Sequence, residues 1–213
     1  MSLITSGSFA GPAGELESIL NDCAAPSAGV AAVLCHPHPL FGGSMHTRIV
    51  FQAARTLCEL GMPVLRFNFR GVGRSAGAYD HGEGEQRDLE AAMARMHELR
   101  PELPVLVGGF SFGSTMVAKL LARSVPGDVR CALLLGLPAD RGEIPAEWAW
   151  QGPKIMISGD RDEFASVASL EAYFARLAPP KQRAWIAGGD HFMAEQIADF
   201  RATLAALVGS ALG

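Results

Sequence analysis

Short apolar runs bounded by Gly or Pro alternate along the chain with longer segments of helical spacing. The runs are 29–35 (GVAAVLC), 63–69 (PVLRFNF), 104–108 (PVLVG), 130–137 (RCALLLGL), 153–158 (PKIMIS) and 182–187 (QRAWIA). Most are apolar at successive positions, the pattern of strands covered on both faces in a parallel sheet. Between them, about 45–60, 84–100, 114–123, 167–177 and 192–207 read as helices. In the second of these, Leu89, Ala92, Met93, Met96 and Leu99 recur at three and four residues and form one apolar stripe. The segment at about 3–21 reads as two short antiparallel edge strands around a Gly-Pro-Ala-Gly turn at 11–14. The alternation predicts an α/β fold, a doubly wound, mostly parallel sheet with helices on both faces, forming one domain over 1–213.

Composition narrows the function classes. With 213 residues, 49% apolar and 19% charged, the chain can bury a core without a disulfide or metal staple, and disorder is excluded. The 18 basic and 22 acidic residues leave a net charge of -4, and no basic run invites nucleic acid. The longest apolar stretch, about 131–137, falls far short of the roughly 18–20 residues that span a bilayer. The first ten residues lack the basic and apolar regions of a secretory signal. Cys23, Cys35, Cys58 and Cys131 are scattered, without C-x-x-C spacing. Buried, reduced thiols, no membrane partner and a cytoplasmic location are expected.

Ligands in open α/β sheets bind outside the carboxyl ends of the strands, so the residues after each run are the candidates. Run 104–108 is followed by Gly109-Phe110-Ser111-Phe112-Gly113 and then a helical segment. This is G-x-S-x-G between strand and helix, where a sharp turn projects the serine hydroxyl and the glycines make room for neighbouring backbone. The Phe112 N–H, at the helix start, faces the place where an oxyanion would develop. A second match, Gly73-Arg74-Ser75-Ala76-Gly77, lies in a polar loop about ten residues before its helix. Ser75 is therefore read as part of a glycine-rich turn.

A serine nucleophile needs a base, and the base a carboxylate. After run 153–158 come Asp160, Arg161, Asp162 and Glu163. Asp162, two residues further on than Asp160, is favoured because it can swing toward the site while Asp160 caps the turn at the strand end. After run 182–187 come Gly188, Gly189, Asp190 and His191, which places a histidine on a glycine loop. The first core run leads into His36-Pro37-His38-Pro39-Leu40-Phe41-Gly42-Gly43. Two histidines at i, i+2 raise the question of a metal, but no third ligand is near and none is expected. The loop instead suits a second oxyanion N–H. Pro37 and Pro39 have none to offer, which leaves His38, Leu40 or Phe41, with His38 first and Leu40 next.

The chain resembles the α/β-hydrolase superfamily, and within it a small bacterial group of lid-less serine hydrolases of dienelactone-hydrolase or carboxylesterase type. The resemblance rests on HPHPLFGGSMHTR (36–48), LRFNFRGVGRSAG (65–77), YDHGEGEQRD (79–88), GGFSFGS (108–114), GDRDEF (159–164) and GDHF (189–192). It implies Ser111 as nucleophile, His191 as base, Asp162 as orienting acid, and an acyl hydrolase acting on a small-molecule ester without metal or organic cofactor. A peptidase, thioesterase or lactone hydrolase, or a non-catalytic interaction protein on the same fold, are the alternatives. Monomer and homodimer stay open. Asn68, Arg70 and Asp80 are expected to tie loop 71–82 to the sheet. Where many relatives insert a helical lid, this chain has only 138–152. Its Trp148 and Trp150 either wall an acyl pocket or pack on the edge of the sheet.

Overall fold

β3 (Ala31–Cys35) is buried at all five positions, and its side chains divide by parity. Ala31, Val33 and Cys35 face one apolar cluster while Ala32 and Leu34 face another, as a strand covered on both faces requires. The computed structural model describes residues 3–23, 28–123, 128–142, 144–145 and 147–213. The further strands are β1 (Leu3–Gly11), β2 (Gly14–Asp22), β4 (Val64–Phe67), β5 (Val105–Phe110), β6 (Val129–Leu135), β7 (Lys154–Gly159) and β8 (Lys181–Ile186). Among the described residues the eight strands form one sheet in the order β1-β2-β4-β3-β5-β6-β7-β8. β2 runs antiparallel to β1 and β4, and every pair from β4 through β8 is parallel.

Helices α2 (Glu83–Leu99), α3 (Phe112–Arg123) and α4 (Val167–Arg176) cover one face, and α1 (Arg48–Glu59) and α5 (Ile197–Leu212) the other. The α2 stripe of Leu89, Ala92, Met93 and Met96 packs on the first face, and Ile49, Ala53 and Leu57 of α1 on the second. Each of the leucine, isoleucine and methionine side chains taken from water contributes on the order of 1.5–3 kcal/mol.

Three expectations change. β1 and β2 are nine residues each rather than short. Of these two only β1 lies at an edge, because β2 continues the sheet to β4. The last helix begins at Ile197, not near residue 192: Met193 takes a φ of 48° and closes a turn onto Asp190, so regular helix starts only afterwards. Cys35 and Cys131 are buried as expected, whereas Cys23 and Cys58 are only half-buried. No helix among the described residues is long and apolar enough to cross a membrane.

Loop 71–82 is held to the sheet as the sequence suggests. The Asn68 amide donates to Glu17 Oε2 at 2.9 Å and its oxygen accepts from the Met45 N–H at 2.8 Å. Ser75 is structural: its hydroxyl donates to the Asn68 carbonyl at 2.7 Å and accepts from the Glu17 N–H at 2.9 Å. Arg70 makes a two-pronged ion pair with the fully buried Asp88, at 3.0 and 2.8 Å, and reaches the exposed Asp80 at 3.6 Å. A Cβ on Gly84 would overlap the Arg70 guanidinium.

Candidate active site

β5 delivers Phe110 to the carboxyl end of the sheet, and the next residue, Ser111, adopts a φ of 55° before α3 begins. Left-handed backbone at a residue with a side chain is strained by about 1–3 kcal/mol and persists only when its surroundings enforce it. The enforcement is visible. The Ser111 N–H donates to the Leu135 carbonyl of β6 at 2.9 Å, and the Ser111 carbonyl accepts from the Ser114 hydroxyl at 2.6 Å. The flanking glycines answer to close approaches. A Cβ on Gly109 would overlap the Gly113 backbone, and one on Gly113 would lie 2.7 Å from the carbonyls of Cys35 and His36.

His191 Nε2 stands 2.9 Å from Ser111 Oγ, and His191 Nδ1 stands 2.8 Å from Asp162 Oδ2. The Asp162 carboxylate accepts at Nδ1, so Nδ1 carries the proton and Nε2 accepts from the serine hydroxyl. Both side chains are nearly or fully buried, which strengthens these hydrogen bonds over their worth in water. The other Asp162 oxygen accepts from the Phe164 N–H at 2.8 Å. Asp160 lies elsewhere: its carboxylate accepts from the Gly188 N–H at 2.7 Å and joins the β7 loop to the β8 loop. Glu163 accepts from the His191 N–H at 3.2 Å. The imidazole is packed by the rings of Phe110 and Phe164, with centroids 4.9 and 4.5 Å away.

The loop after β3 folds tightly. His36 is fully buried; its Nδ1–H donates to the Pro37 carbonyl at 2.6 Å and its Nε2 accepts from the Phe69 N–H at 3.0 Å. Burial pushes its pKa down to about 4, so it is a neutral brace between β3 and β4. A short 3₁₀ turn follows at Pro39–Phe41. Of the three amides in question, two are taken up inside this turn. The Leu40 N–H donates to His38 Nδ1 at 3.2 Å and the Phe41 N–H to the His38 carbonyl at 3.1 Å. Leu40, expected as the second choice of oxyanion donor, is thus occupied by its neighbour's ring. The His38 N–H is left without a partner among the described residues, and the Phe112 N–H, first in α3, has no intrahelical acceptor.

One site neighbour has no counterpart in the sequence reading. Tyr79 Oη lies 3.2 Å from His38 Nε2, and its ring packs near Phe112 with centroids 6.0 Å apart. Burial lowers the His38 pKa, which favours its neutral form. Because Nδ1 accepts from Leu40, Nε2 carries the proton and donates to Tyr79. Loop 71–82 is long and glycine-rich, but nothing in its composition singles out Tyr79.

Trp148 and Trp150 do not line the site. Both cover the ammonium of Lys154 at 5.6 and 5.2 Å. Lys154 opens β7, so the pair sits at the amino end of a strand whose carboxyl end leads to Asp162. Among the described residues no group of three or more His, Cys, Asp or Glu could hold a metal ion, and no helix stands between β6 and β7.

A serine, histidine and aspartate joined by hydrogen bonds at the carboxyl ends of β5, β8 and β7, on this sheet, define the class of α/β serine hydrolases. The chain belongs to the alpha/beta hydrolase domain family, whose model matches residues 31–206. It is similar to XC6422 from Xanthomonas campestris, described as an a/b serine hydrolase without lid, at 32% identity and a TM-score of 0.85 over 97% of this chain and 94% of that one. It is 31% identical over 201 residues to the uncharacterized protein RP471 of Rickettsia prowazekii, covering 90% of this chain and 83% of the relative. The Pyrococcus furiosus esterase Pf2001, at 17% identity and a TM-score of 0.83 over 100% of this chain and 94% of that one, shares the fold.

Proposed function

We propose that the protein cleaves carboxylic esters of small to medium acyl groups through an acyl-enzyme on Ser111. Ser111 Oγ attacks the ester carbonyl carbon while its proton passes to His191 Nε2. Asp162 holds the imidazole in the required tautomer and stabilises the imidazolium. The N–H groups of His38 and Phe112 receive the negative charge that develops on the carbonyl oxygen. The imidazolium then protonates the leaving alcohol. Water, deprotonated by the same nitrogen, hydrolyses the acyl-serine and restores the starting state.

The observation that carries this reading is the unbroken chain from Asp162 Oδ2 through His191 to Ser111 Oγ, at 2.8 and 2.9 Å. The strained φ of 55° at Ser111 supports it, since such strain gathers at functional sites. Among the described residues no helix stands between β6 and β7, and Ser111 is half-buried rather than enclosed, which suits small esters. The test is hydrolysis of a p-nitrophenyl ester chain-length series by the wild type and by Ser111→Ala. The wild type is expected to prefer short and medium chains and the variant to lose turnover with its thermal unfolding unchanged. Equal turnover by the variant would refute the nucleophile.

A further inference from the structure

We infer that this site selects esters bearing an aromatic ring, an inference that rests on the ester-hydrolase reading above. Two sets of rings adjoin Ser111, one through Phe112, the next residue, and one through His191, which is bonded to it. On one flank the His38 ring lies 4.9 Å from Phe112, 5.0 Å from Tyr79 and 4.6 Å from Phe41. On the other, the His191 ring lies 4.5 Å from Phe164 and 5.3 Å from Phe192. Both sets end in a phenyl ring left in water: Phe41 is 84% exposed and Phe192 47%. Scattered exposed apolar residues need no explanation. Two exposed phenyl rings, one against the His38 imidazole and one against the imidazole bonded to Ser111, mark a surface suited to being covered.

The kind of cover follows from the walls. Of the large apolar side chains left exposed, Leu40, Phe41 and Phe192 belong to the loops that carry His38 and His191, and two of these three are aromatic. Their rings meet at tilted or edge-on angles, 47° for His38 and Phe41 and 83° for His191 and Phe192. A flat ring laid against either set finds both faces and edges to pair with. Such pairs add roughly 2- to 10-fold in affinity beyond area burial. A saturated ring of the same size carries at least as much apolar surface, so burial alone would favour it. Preference for the aryl group over its saturated counterpart therefore isolates the ring-pairing contribution.

The test uses 2-phenylethylboronic acid and 2-cyclohexylethylboronic acid, whose two-carbon spacer insulates the boron from the ring. In each case Ser111 Oγ forms a bond to boron, its proton passes to His191, and a tetrahedral boronate results with no leaving group. Inhibition constants are read against p-nitrophenyl acetate hydrolysis by the full chain. The phenyl compound is expected to bind about 3- to 10-fold tighter. That ratio should fall toward one in the double variant Phe41→Leu with Phe192→Leu, whose fold is checked by thermal melting. Equal or tighter binding of the cyclohexyl compound overturns the inference, as does a ratio unchanged in the double variant. Failure of the underlying reading shows separately: p-nitrophenyl acetate hydrolysis would then not exceed that of Ser111→Ala, and both proposals fall.

Discussion

His191 Nε2 reaches Ser111 Oγ at 2.9 Å across 80 residues of sequence. That contact is useful only while Nε2 is unprotonated, and the state of Nε2 is set at the far side of the ring by Asp162. Asp162→Asn tests the dependence. The amide nitrogen can donate to Nδ1, which moves the imidazole proton to Nε2, while the side-chain oxygen still accepts from the Phe164 N–H. The expected result is a fall in kcat of about 10³–10⁴ with an intact fold. A loss below tenfold would show that Asp162 does not govern the tautomer.

Tyr79 and His38 form a second coupled pair. The Tyr79 hydroxyl accepts from His38 Nε2 and so steadies the turn whose backbone presents the His38 N–H. Tyr79→Phe removes one hydrogen bond, worth about 0.5–1.5 kcal/mol. The expectation is a 2- to 10-fold loss in kcat with little change in KM. Because Tyr79 acts through His38, Tyr79→Phe should cost nothing further in a His38→Ala background. Additive losses in that double-mutant cycle would contradict the coupling.

The Arg70–Asp88 pair is a stability element. Asp88 is fully buried and Arg70 has little exposure. Removing one charge strands the other, at a cost of about 3–5 kcal/mol. Asp88→Asn should therefore lower the midpoint of urea unfolding substantially. A midpoint within error of the wild type would refute the assignment.

His36 makes stability depend on pH. Its folded pKa is about 4, against an unfolded value near 6.5. Below 6.5 the unfolded chain binds the extra proton, so this contribution is complete above pH 6.5 and is lost as pH falls toward 4. The total loss is about 3 kcal/mol. His36→Gln, which can still accept from the Phe69 N–H, should flatten the dependence of unfolding free energy on pH between 7 and 5. An unchanged slope would mean that His36 is not the group responsible.

The strand–helix alternation was legible because β3, β5, β6 and β7 are buried on both faces, which leaves continuous apolar runs in the sequence. Ser111 and Asp162 could be singled out because each comes within a few residues of such a run, and His191 because a glycine pair separates it from β8. The order of strands across the sheet depends on long-range pairing that no local pattern encodes, and so β2 was mistaken for an edge. Tyr79 was missed for a related reason: its contact to His38 bridges 41 residues between two loops, and loop packing leaves no periodic trace. The start of α5 was misplaced because the left-handed turn at Met193 occurs at a residue with no turn preference of its own.

The central claim is that Ser111 is an activated nucleophile. Reaction with a fluorophosphonate, followed by peptide mass mapping, tests it most directly. The account predicts a single adduct on Ser111 that disappears in Ser111→Ala and forms far more slowly in His191→Ala. An unlabelled wild-type protein, or an adduct on another residue with Ser111 unmodified, would contradict it.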